Sequence, residues 1–351
     1  MNIHFDLVHP SDVNLFKNAI NKLHLQGHRI FLTLRERGKL SVIAKTELGS
    51  FEISTIGKHE KGFIKKLAAL IRREVDLFRY LKRNQINITV NQSFSSVISC
   101  KILKIPFINF EDDFEYKLAF HYARLFSTRD IMPDFIPAKG RNIFKYHGFK
   151  ELAYLHPEEF RPNKNAPVDF GLTPLNYVFI REISNISLNY ANVKSYLDKV
   201  IELIDLKGLP ILLSLEDKGL SGKFADRCTI LQEPINDIYS LIANSLFTIS
   251  SGDTMAREAC LMSTPTIYTG GRAMLMNTPL IEKGIMFKAD TFEEITSLVD
   301  FFLADENAIK IRSEAAKILS REWENTTEVI LKHISDFSEE LKARNENEIL
   351  Q

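Results

Sequence analysis

Small and charged residues cluster in the second half of the chain, between an apolar, strand-like run and a helical pattern. The cluster reads Ser251, Gly252, Asp253, Thr254, and Glu258 follows one helical turn later. A strand-to-helix turn of this kind exposes backbone N–H groups and the positive end of a helix, which suits a diphosphate. Ser and Asp are also ordinary N-cap residues, so the turn by itself fits a purely structural role equally well.

Two arginines stand near other strand-like runs of the same half. Arg181 ends the apolar run 177–180, and Arg272 follows the run 266–268. The planar guanidinium forms paired hydrogen bonds with phosphate oxygens, so both arginines are candidate phosphate-binding residues. A salt bridge to a surface acid, Glu182 in the case of Arg181, is the alternative.

The first half of the chain has a histidine and several acids in comparable places. His9 and Asp12 follow the first apolar run, and Glu111 and Glu115 follow the run 106–110. A histidine or carboxylate there can take the proton of an acceptor hydroxyl, and grouped carboxylates can raise one another's pKa or bind a cation. The structural alternatives are a loop histidine for His9, an N-cap for Asp12 and solvated acids for the two glutamates.

Hydrophobic periodicity places these residues in two alternating series of strands and helices. The first series has strand-like runs at 2–8, 29–34, 51–55, 86–90 and 106–110. The second series has them at 177–181, 210–214, 229–231, 246–249 and 266–268. Such alternation is typical of parallel sheets covered by helices on both faces. We therefore predict an α/β protein with two Rossmann-like, doubly wound domains that face a central cleft, where ligands bind at the carboxyl ends of the strands.

Composition indicates where the domains begin and end. We predict a first domain over 1–150, a proline-rich linker over 151–174 and a second domain over 175–306. The segment 307–351 has helical periodicity but is highly charged. We expect it to pack along the outside and to fray near its end.

Charge and cysteine content exclude several classes of protein. The 351 residues include 45 basic and 45 acidic side chains, a balance that argues against a general nucleic-acid binder. The three cysteines are far apart and lack metal-ligand spacing, so we expect buried thiols. The start lacks the pattern of a signal peptide, and no run approaches the ~20 apolar residues of a membrane span. The sequence thus predicts a cytoplasmic protein.

Several motifs resemble known families. The segment SGDT at 251–254, followed by REA at 257–259, is similar to the donor-site segment of GT-B glycosyltransferases and of non-hydrolysing UDP-N-acetylglucosamine 2-epimerases. The segments DLVHP at 6–10, ELAYLHP at 151–157 and TMAREA at 254–259 also resemble a GT-B-like family of unknown function, across nearly the whole chain. The resemblance implies the GT-B fold and, more loosely, an enzyme of nucleotide sugars.

The resemblance also implies roles for the residues of the second domain. Gly252 and Thr254 would lie against the donor diphosphate, and Glu258 would accept hydrogen bonds from the ribose hydroxyls, with a solvated helix carboxylate as the alternative. Asp253 stands where relatives usually have a small residue. It must cap the helix and turn away from the phosphates if a donor binds there. In the first domain, Asp12 stands where relatives often have a second histidine.

Three functions remain open at this point. The first is a GT-B glycosyltransferase that moves a sugar from a nucleotide donor, UDP-linked by expectation, to a glycan or lipid-linked acceptor. It requires no metal in principle, because helix dipoles and arginines can stabilise the departing diphosphate. The second is a 2-epimerase, although the histidine that similar epimerases carry in a His-Arg-Arg-Glu type motif is missing near 179–183. The third is a non-catalytic module that binds a nucleotide sugar or a partner, which Asp12, Asp253 and the acids at 216–217 keep open.

A basic helical segment suggests a further partner. Between residues 58 and 85 nine basic and three acidic side chains give a balance of plus six. A membrane-facing acceptor domain, in peripheral contact through the helix 61–83, is one interpretation. The alternative is a solvated basic face above an apolar stripe that packs in the core. The stripe consists of Phe63, Leu67, Leu70, Ile71, Val75, Phe78 and Leu81.

Overall fold

The chain forms two compact units, each built around one parallel sheet. The computed structural model describes residues 1–58, 62–112, 114, 117–184, 195–232, 235 and 237–349, with backbone alone for 63–67, 117–119, 123 and 341–349. The first unit comprises Met1–Tyr154 and Glu324–Gln351, and the second comprises Leu155–Trp323. The predicted class, α/β with two doubly wound domains, is confirmed.

The sheet of the first unit has seven strands in the order β3-β2-β1-β4-β5-β6-β7, and all of its pairings are parallel. The direction of winding reverses between β1 and β4, which makes this pair the topological switch point. The strands are β1 (Asn2–Leu7), β2 (Arg29–Glu36), β3 (Ile53–Lys58), β4 (Ile88–Asn91), β5 (Phe107–Phe110), β6 (Arg129–Pro133) and β7 (Ile143–Tyr146).

Helices cover both faces of this sheet. The apolar residues that recur along the first helix pack on the strands as the periodicity predicts, and the ring of Phe16 lies 5.4 Å from that of Phe5 and 5.9 Å from that of Phe110. The helices are α1 (Pro10–Leu25), α2 (Leu40–Leu48), α3 (Phe63–Arg83), α4 (Val97–Leu103), α5 (Lys117–Phe126) and α6 (Leu152–Leu155).

The second unit repeats the plan with six strands in the order β10-β9-β8-β11-β12-β13, again with parallel pairings. Its switch point lies between β8 and β11. The strands are β8 (Val178–Glu182), β9 (Ile211–Leu215), β10 (Thr229–Ile230), β11 (Phe247–Ser250), β12 (Thr266–Tyr268) and β13 (Met286–Lys288). The helices are α7 (Leu197–Leu206), α8 (Ser221–Phe224), α9 (Ile238–Ala243), α10 (Asp253–Leu261), α11 (Thr278–Glu282), α12 (Phe292–Leu303) and α13 (Asn307–Arg321).

The carboxyl-terminal segment divides between the two units. Helix α13 belongs to the second unit, whereas the last helix, α14 (Thr326–Ile349), belongs to the first. The hydroxyls of Thr326 and Thr327 donate to the carbonyls of Phe149 and Ala153, each at 2.7 Å. A single outer segment from residue 307 onward therefore does not describe the fold. The chain changes unit at 154–155 and again at 323–324, and the proline-rich stretch contains α6 and a short 3-10 helix, Ala166–Phe170.

Helix α3 buries only part of the stripe that the periodicity outlines, and the side chains of Phe63 and Leu67 lie outside the described part of the chain. Leu77 and Leu81 are fully buried, but Leu70, Ile71 and Val75 are 37%, 59% and 43% exposed. The expectation of a core-packed stripe is therefore wrong for these three residues. The helix instead turns Leu77 and Arg73 toward the sheet, and Arg73 is only 4% exposed.

Two further expectations concern the chain as a whole. Cys100, Cys228 and Cys260 are buried and form no disulfide. Within the described part of the chain, no helix combines the length and the apolar character needed to cross a membrane.

Candidate functional site

The switch point of the second sheet brings two of the sequence candidates together. Arg181, near the end of β8, is the register partner of Ser250 at the end of β11. The turn at 251–252 therefore lies beside the arginine, although the two are about 70 residues apart in sequence. A parallel sheet produces this proximity because both strands end at the same edge.

Ser251 fastens the turn to the neighbouring strand. Its N–H donates to the carbonyl of Arg181 at 3.0 Å, and its hydroxyl oxygen accepts the N–H of Ile183 at 2.9 Å. Gly252 is the N-cap of α10, with an extended backbone that any residue can adopt. A Cβ at this position would lie 2.9 Å from Cγ2 of Ile183. Glycine is therefore required at this position because a larger residue would collide with the side chain of Ile183.

Asp253 is the first residue of α10 and is buried. The N-cap is Gly252 and not Asp253, so the expected capping role is wrong. Carboxylate oxygen Oδ2 lies 3.6 Å from Nη1 of Arg257 and 3.6 Å from Nη1 of Arg272. The two guanidinium groups offset the negative charge that would repel a diphosphate, and Arg272 is held beside the turn by this pairing. Thr254 is exposed on the first turn of the helix.

Glu258 lies one turn into α10 and is only 6% exposed. Its Oε1 accepts the hydroxyl of Tyr239 at 3.1 Å. Arg181 donates from Nη1 to the hydroxyl of Ser214 at 3.0 Å. Desolvation lowers the pKa of Arg181, and the negative charges of Glu216, Glu258 and Glu182 oppose this shift. The edge therefore combines a partly desolvated cation, which can bind phosphate oxygens, with a buried carboxylate, which can accept hydrogen bonds from hydroxyl groups.

At the first sheet's switch point, His9 and Asp12 form a reciprocal cap of α1. His9 is the N-cap, and its Nδ1 accepts the N–H of Ser11 at 3.3 Å. Asp12 Oδ2 accepts the N–H groups of Val8 at 2.7 Å and of His9 at 2.9 Å. Asp12 is therefore not the N-cap of α1, and the N-cap is His9, three residues earlier. Burial raises the pKa of Asp12 to about 7, while the two backbone hydrogen bonds act in the opposite direction.

The ring of His9 stays neutral at pH 7. Desolvation by the packing around the ring lowers its pKa to about 4, although the side chain reaches the surface, and the charges of Arg37 and Lys150 act in the same direction. Because Nδ1 accepts from Ser11, this hydrogen-bond network puts the ring proton on Nε2. His9 can take a proton only after Nδ1 is released from Ser11.

Two residues that sequence reasoning missed, Gln92 and Lys150, meet Asp112 at this edge. Asp112 follows β5 and accepts Nε2 of Gln92 on Oδ1 and Nζ of Lys150 on Oδ2, both at 2.7 Å. Asp112 belongs to the same acidic group, 111–115, as the candidates Glu111 and Glu115. Glu111 is half-buried and donates its backbone N–H to Ile131, and Glu115 lies outside the described residues. The available signals were that Gln92 follows a strand and that Lys150 precedes the 151–157 motif.

A buried ion pair lies beneath this edge. Arg73 Nη2 is 2.7 Å from Asp6 Oδ1, and the hydroxyl of Thr33 donates to the same oxygen at 2.6 Å. Burial by itself raises the pKa of Asp6, but the charge and hydrogen bond of Arg73 outweigh it and hold the pKa below its ordinary value. Gly57 lies against this arginine at φ +85°, and a Cβ there would be 2.7 Å from Arg73 Cδ. Arg73 is therefore a structural residue and no part of a solvated basic face.

Solved structures with the GT-B fold are similar to this chain over nearly its whole length. UDP-GlcNAc 2-epimerase from Methanocaldococcus jannaschii, in complex with UDP-GlcNAc and UDP, is similar with a TM-score of 0.67 and 13% identity, covering 95% of this chain and 99% of that one. The glycotransferase of kitacinnamycin is similar with a TM-score of 0.64 and 11% identity, covering 96% of this chain and 98% of that one. The likeness shows that the chain has the GT-B fold.

The family follows from the sequence match. The chain belongs to the family described as protein of unknown function (DUF354), whose profile matches residues 1–339. The uncharacterized protein MJ0665 of Methanocaldococcus jannaschii is 25% identical over 318 residues, which cover 86% of this chain and 91% of the relative. The resemblance to a GT-B-like family of unknown function is thereby confirmed.

Proposed function

We propose that this protein is a glycosyltransferase that uses a nucleotide sugar as its donor. The observation that carries the proposal is that Arg181 and the buried Glu258 lie beside the α10 turn, at the switch point of the second sheet, near enough for the charge of Glu258 to act on Arg181. In the proposed complex Arg181 binds the diphosphate, and Glu258 accepts the ribose hydroxyls. Residues 251–254 and Arg272 complete the donor site. Fold relatives that bind UDP-GlcNAc and UDP support a UDP-linked donor.

The proposed reaction breaks the bond between the sugar and the donor phosphate and joins the sugar to an acceptor oxygen. The acceptor hydroxyl loses its proton to a base of the first unit, and the nucleoside diphosphate leaves. Arg181 and the positive end of α10 stabilise the charge that develops on the leaving diphosphate. We assign the proton to Asp12, because Nδ1 of His9 already accepts the N–H of Ser11 and because burial raises the pKa of Asp12 to about 7. His9 and Lys150 then orient the acceptor.

A 2-epimerase is the second candidate, and Glu182 favours it. Burial raises the pKa of Glu182, against the hydrogen bonds of Ser195 and Ser251. A carboxyl with a raised pKa at the end of β8 could serve as the acid or base that inversion of a sugar carbon requires. Conversion of UDP-GlcNAc alone to its 2-epimer would select this function over sugar transfer.

A thermal-shift screen against nucleotides and nucleotide sugars tests donor binding. A ligand that binds only the native state raises the melting temperature by mass action, so we expect stabilisation by one nucleotide and its sugar conjugates. Turnover with candidate acceptors is then followed by release of the nucleoside diphosphate. Binding without turnover or epimerisation across glycan and lipid-linked acceptors would contradict catalysis and leave a binding module.

We also propose peripheral membrane contact through α3. Its exposed apolar residues lie on the same helix as the exposed cations Arg72, Arg79 and Lys82, a combination that suits an anionic membrane surface. We expect sedimentation with anionic vesicles to weaken at high salt, because salt screens the attraction. Equal sedimentation with neutral and anionic vesicles would contradict the proposal.

A further inference from the structure

An apolar groove runs along three helices of the first unit, α3, α4 and α5. Its volume is about 960 Å³, which is near the upper end of the roughly 300–1,000 Å³ of small-molecule sites. Large apolar side chains on its walls are between 37% and 64% exposed. They are Leu70, Ile71, Val75, Phe94, Ile98 and Ile102. An open apolar surface of this size on a folded domain marks a site that is covered by a ligand or a partner.

Three polar side chains are among the groove's described walls, and Tyr122 packs its ring against that of Phe94. The other two, Glu74 and Ser99, are occupied by each other and by the backbone. Ser99 donates its hydroxyl to the Glu74 carboxylate at 2.9 Å. The same carboxylate accepts the N–H of Ser96 at 2.9 Å. Neither group is turned toward the groove for a polar ligand. The chemistry of the walls therefore fits a hydrocarbon.

One end of the groove lies at the edge that carries the candidate acceptor residues. Phe94 stands in the connection that leaves β4 at its carboxyl end and enters α4. The next residue, Ser95, is hydrogen-bonded to Arg73, which pairs with Asp6 at the end of β1. The contacts from Phe94 through Arg73 thus connect the mouth of the groove to the switch point of the first sheet.

Positive charge collects at the same edge of the sheet. Arg35, near the end of β2, interacts with the charges of Arg73, Arg37 and Asp6. Desolvation is the largest cause that lowers its pKa, and the charges of the two other arginines lower it further. Its Nε is buried and has no hydrogen-bond partner in the part of the chain that the structure describes. Three guanidinium groups near one carboxylate leave a net positive charge. A phosphate at this edge would balance the charge of the half-buried Arg35 and the exposed Arg37.

We propose that the groove holds the hydrocarbon chain of a lipid phosphate, with the phosphate beside Arg35 and Arg37. The apolar walls and the adjacent arginines match the two halves of such a molecule. That this lipid is the acceptor rests on the proposed glycosyltransferase function. Binding itself needs only the first unit's residues and no nucleotide sugar.

Calorimetry with prenyl monophosphates of ten, fifteen and twenty carbons, below their micelle concentrations, tests the groove. We expect affinity to rise at least about tenfold for each five-carbon unit, since each buried methylene contributes about fourfold. Inorganic phosphate alone should bind weakly. Ile71→Gln and Ile98→Gln should abolish the dependence on chain length, and both sites are exposed enough to tolerate the change. Leu206→Gln, at a 79% exposed leucine of the second unit, is the matched control.

Arg35→Gln tests the phosphate half. It should lower the affinity for every chain length by a similar factor, about tenfold for a lost charged hydrogen bond. Chain-length dependence that survives Ile71→Gln and Ile98→Gln would overturn the proposal. A second set of results would also overturn it: the wild-type protein is a dimer by size exclusion with light scattering, Ile71→Gln converts it to a monomer, and prenyl phosphates do not bind. The groove would then be covered by a second copy of the chain. Vesicle binding without affinity for the soluble prenyl phosphates would overturn it as well.

The outcome is separable from that of the proposed function. Nucleotide-sugar binding is measured on the same variants by thermal shift. Loss of prenyl phosphate binding with intact nucleotide binding refutes the groove alone. Prenyl phosphate binding by a protein that binds no nucleotide sugar refutes the glycosyltransferase and supports the groove.

Discussion

The two sheets share a strand order around their switch points, yet their carboxyl edges are built from different chemistry. The edge of the first sheet rests on a buried ion pair, Asp6 with Arg73, at 2.7 Å. The edge of the second sheet rests on serine hydroxyls and a glycine, with Glu258 and Arg181 on its flank. The parallel sheet fixes where a ligand lies, and the residues of each edge decide which ligand it is.

A pair of aspartates shows the same difference on a smaller scale. Asp12 and Asp253 are both buried in the first turn of a helix. Asp12 is held by two backbone N–H groups, and its pKa is raised to about 7 by burial. Asp253 lies between Arg257 and Arg272. The first environment suits a group that exchanges a proton near neutral pH, and the second suits a fixed charge that positions arginines.

The largest expected effect tests whether the edge of the first sheet, unlike that of the second, depends on a buried ion pair. Arg73→Met leaves the Asp6 carboxylate buried without its partner, so the free energy of unfolding should fall by about 3–5 kcal/mol in urea denaturation. Arg72→Met, at the exposed neighbouring position, should change it by less than about 0.5 kcal/mol. Similar losses in both variants would show that the ion pair does not support this edge. Asp6→Asn added to Arg73→Met should recover part of the loss.

The second prediction concerns pH and Asp12. The pKa of Asp12 is about 7 in the folded protein and near its ordinary value of 3.8 in the unfolded chain, so between pH 3.8 and pH 7 the folded state binds more protons. Stability that is present below the unfolded pKa is therefore lost as pH rises to 7, by up to roughly 1.4 kcal/mol for each pH unit. Asp12→Asn should remove this decline in denaturation curves from pH 4 to 8.

Asp253→Asn is the control for that experiment. Since arginines surround Asp253, its replacement should not flatten the same pH window. If wild type and Asp12→Asn show parallel pH dependence, Asp12 ionises normally in the folded state. The assignment of Asp12 as the base would then lose its support.

The third prediction sharpens the donor side. Glu258→Ala removes the carboxylate that would accept ribose hydroxyls, at a cost of about 1.5–3 kcal/mol, or roughly ten-fold to more than a hundred-fold in affinity by calorimetry. The nucleotide is the one that the thermal screen identifies. Glu282→Ala, at an exposed glutamate of the same unit, should bind normally. Unchanged affinity in a folded Glu258→Ala protein would remove the ribose contact and the donor-site assignment with it.

The smallest expected effect concerns Gly252. Gly252→Ala places a Cβ 2.9 Å from Ile183 Cγ2, so the variant should lose about 1–2 kcal/mol of stability from overpacking. Adding Ile183→Ala should restore part of that loss, because it removes the clashing methyl group. A stability loss that Ile183→Ala leaves unchanged would mean that the glycine is needed for another reason. Calorimetry on the double variant then measures whether the affinity for the nucleotide also depends on glycine at position 252.

Most strands could be predicted because their runs are apolar, but three were missed. Strand β6 carries Arg129 and Asp130, both buried, and Asp130 is bonded to Asn109 at 2.8 Å. Strand β13 has three residues, and β7 has four with a lysine. A buried polar strand looks like a loop in sequence, since its partner is supplied by another strand.

The candidate residues divide along the same line. Arg181 could be named from the sequence because it ends a recognisable strand, and Glu258 because it lies in a segment that resembles the donor site of known families. Lys150 and Gln92 could not, because only the fold of the first unit brings them to Asp112. Nor could sequence distinguish Arg73 from Arg72, although one is buried and the other exposed. The helical rotation that separates them depends on which face the sheet covers.

The sequence by itself determined the two alternating series, the family and the strand ends at which charged residues collect. Local periodicity is sufficient for this, because strands and helices bury apolar residues with periods of their own. Only the tertiary structure decided that α14 joins the first unit, that Leu70, Ile71 and Val75 stay exposed, and that Arg73 pairs with Asp6. An amphipathic pattern indicates that one face of a helix is covered. Which part of the protein covers that face is decided by contacts between residues that are far apart in the chain.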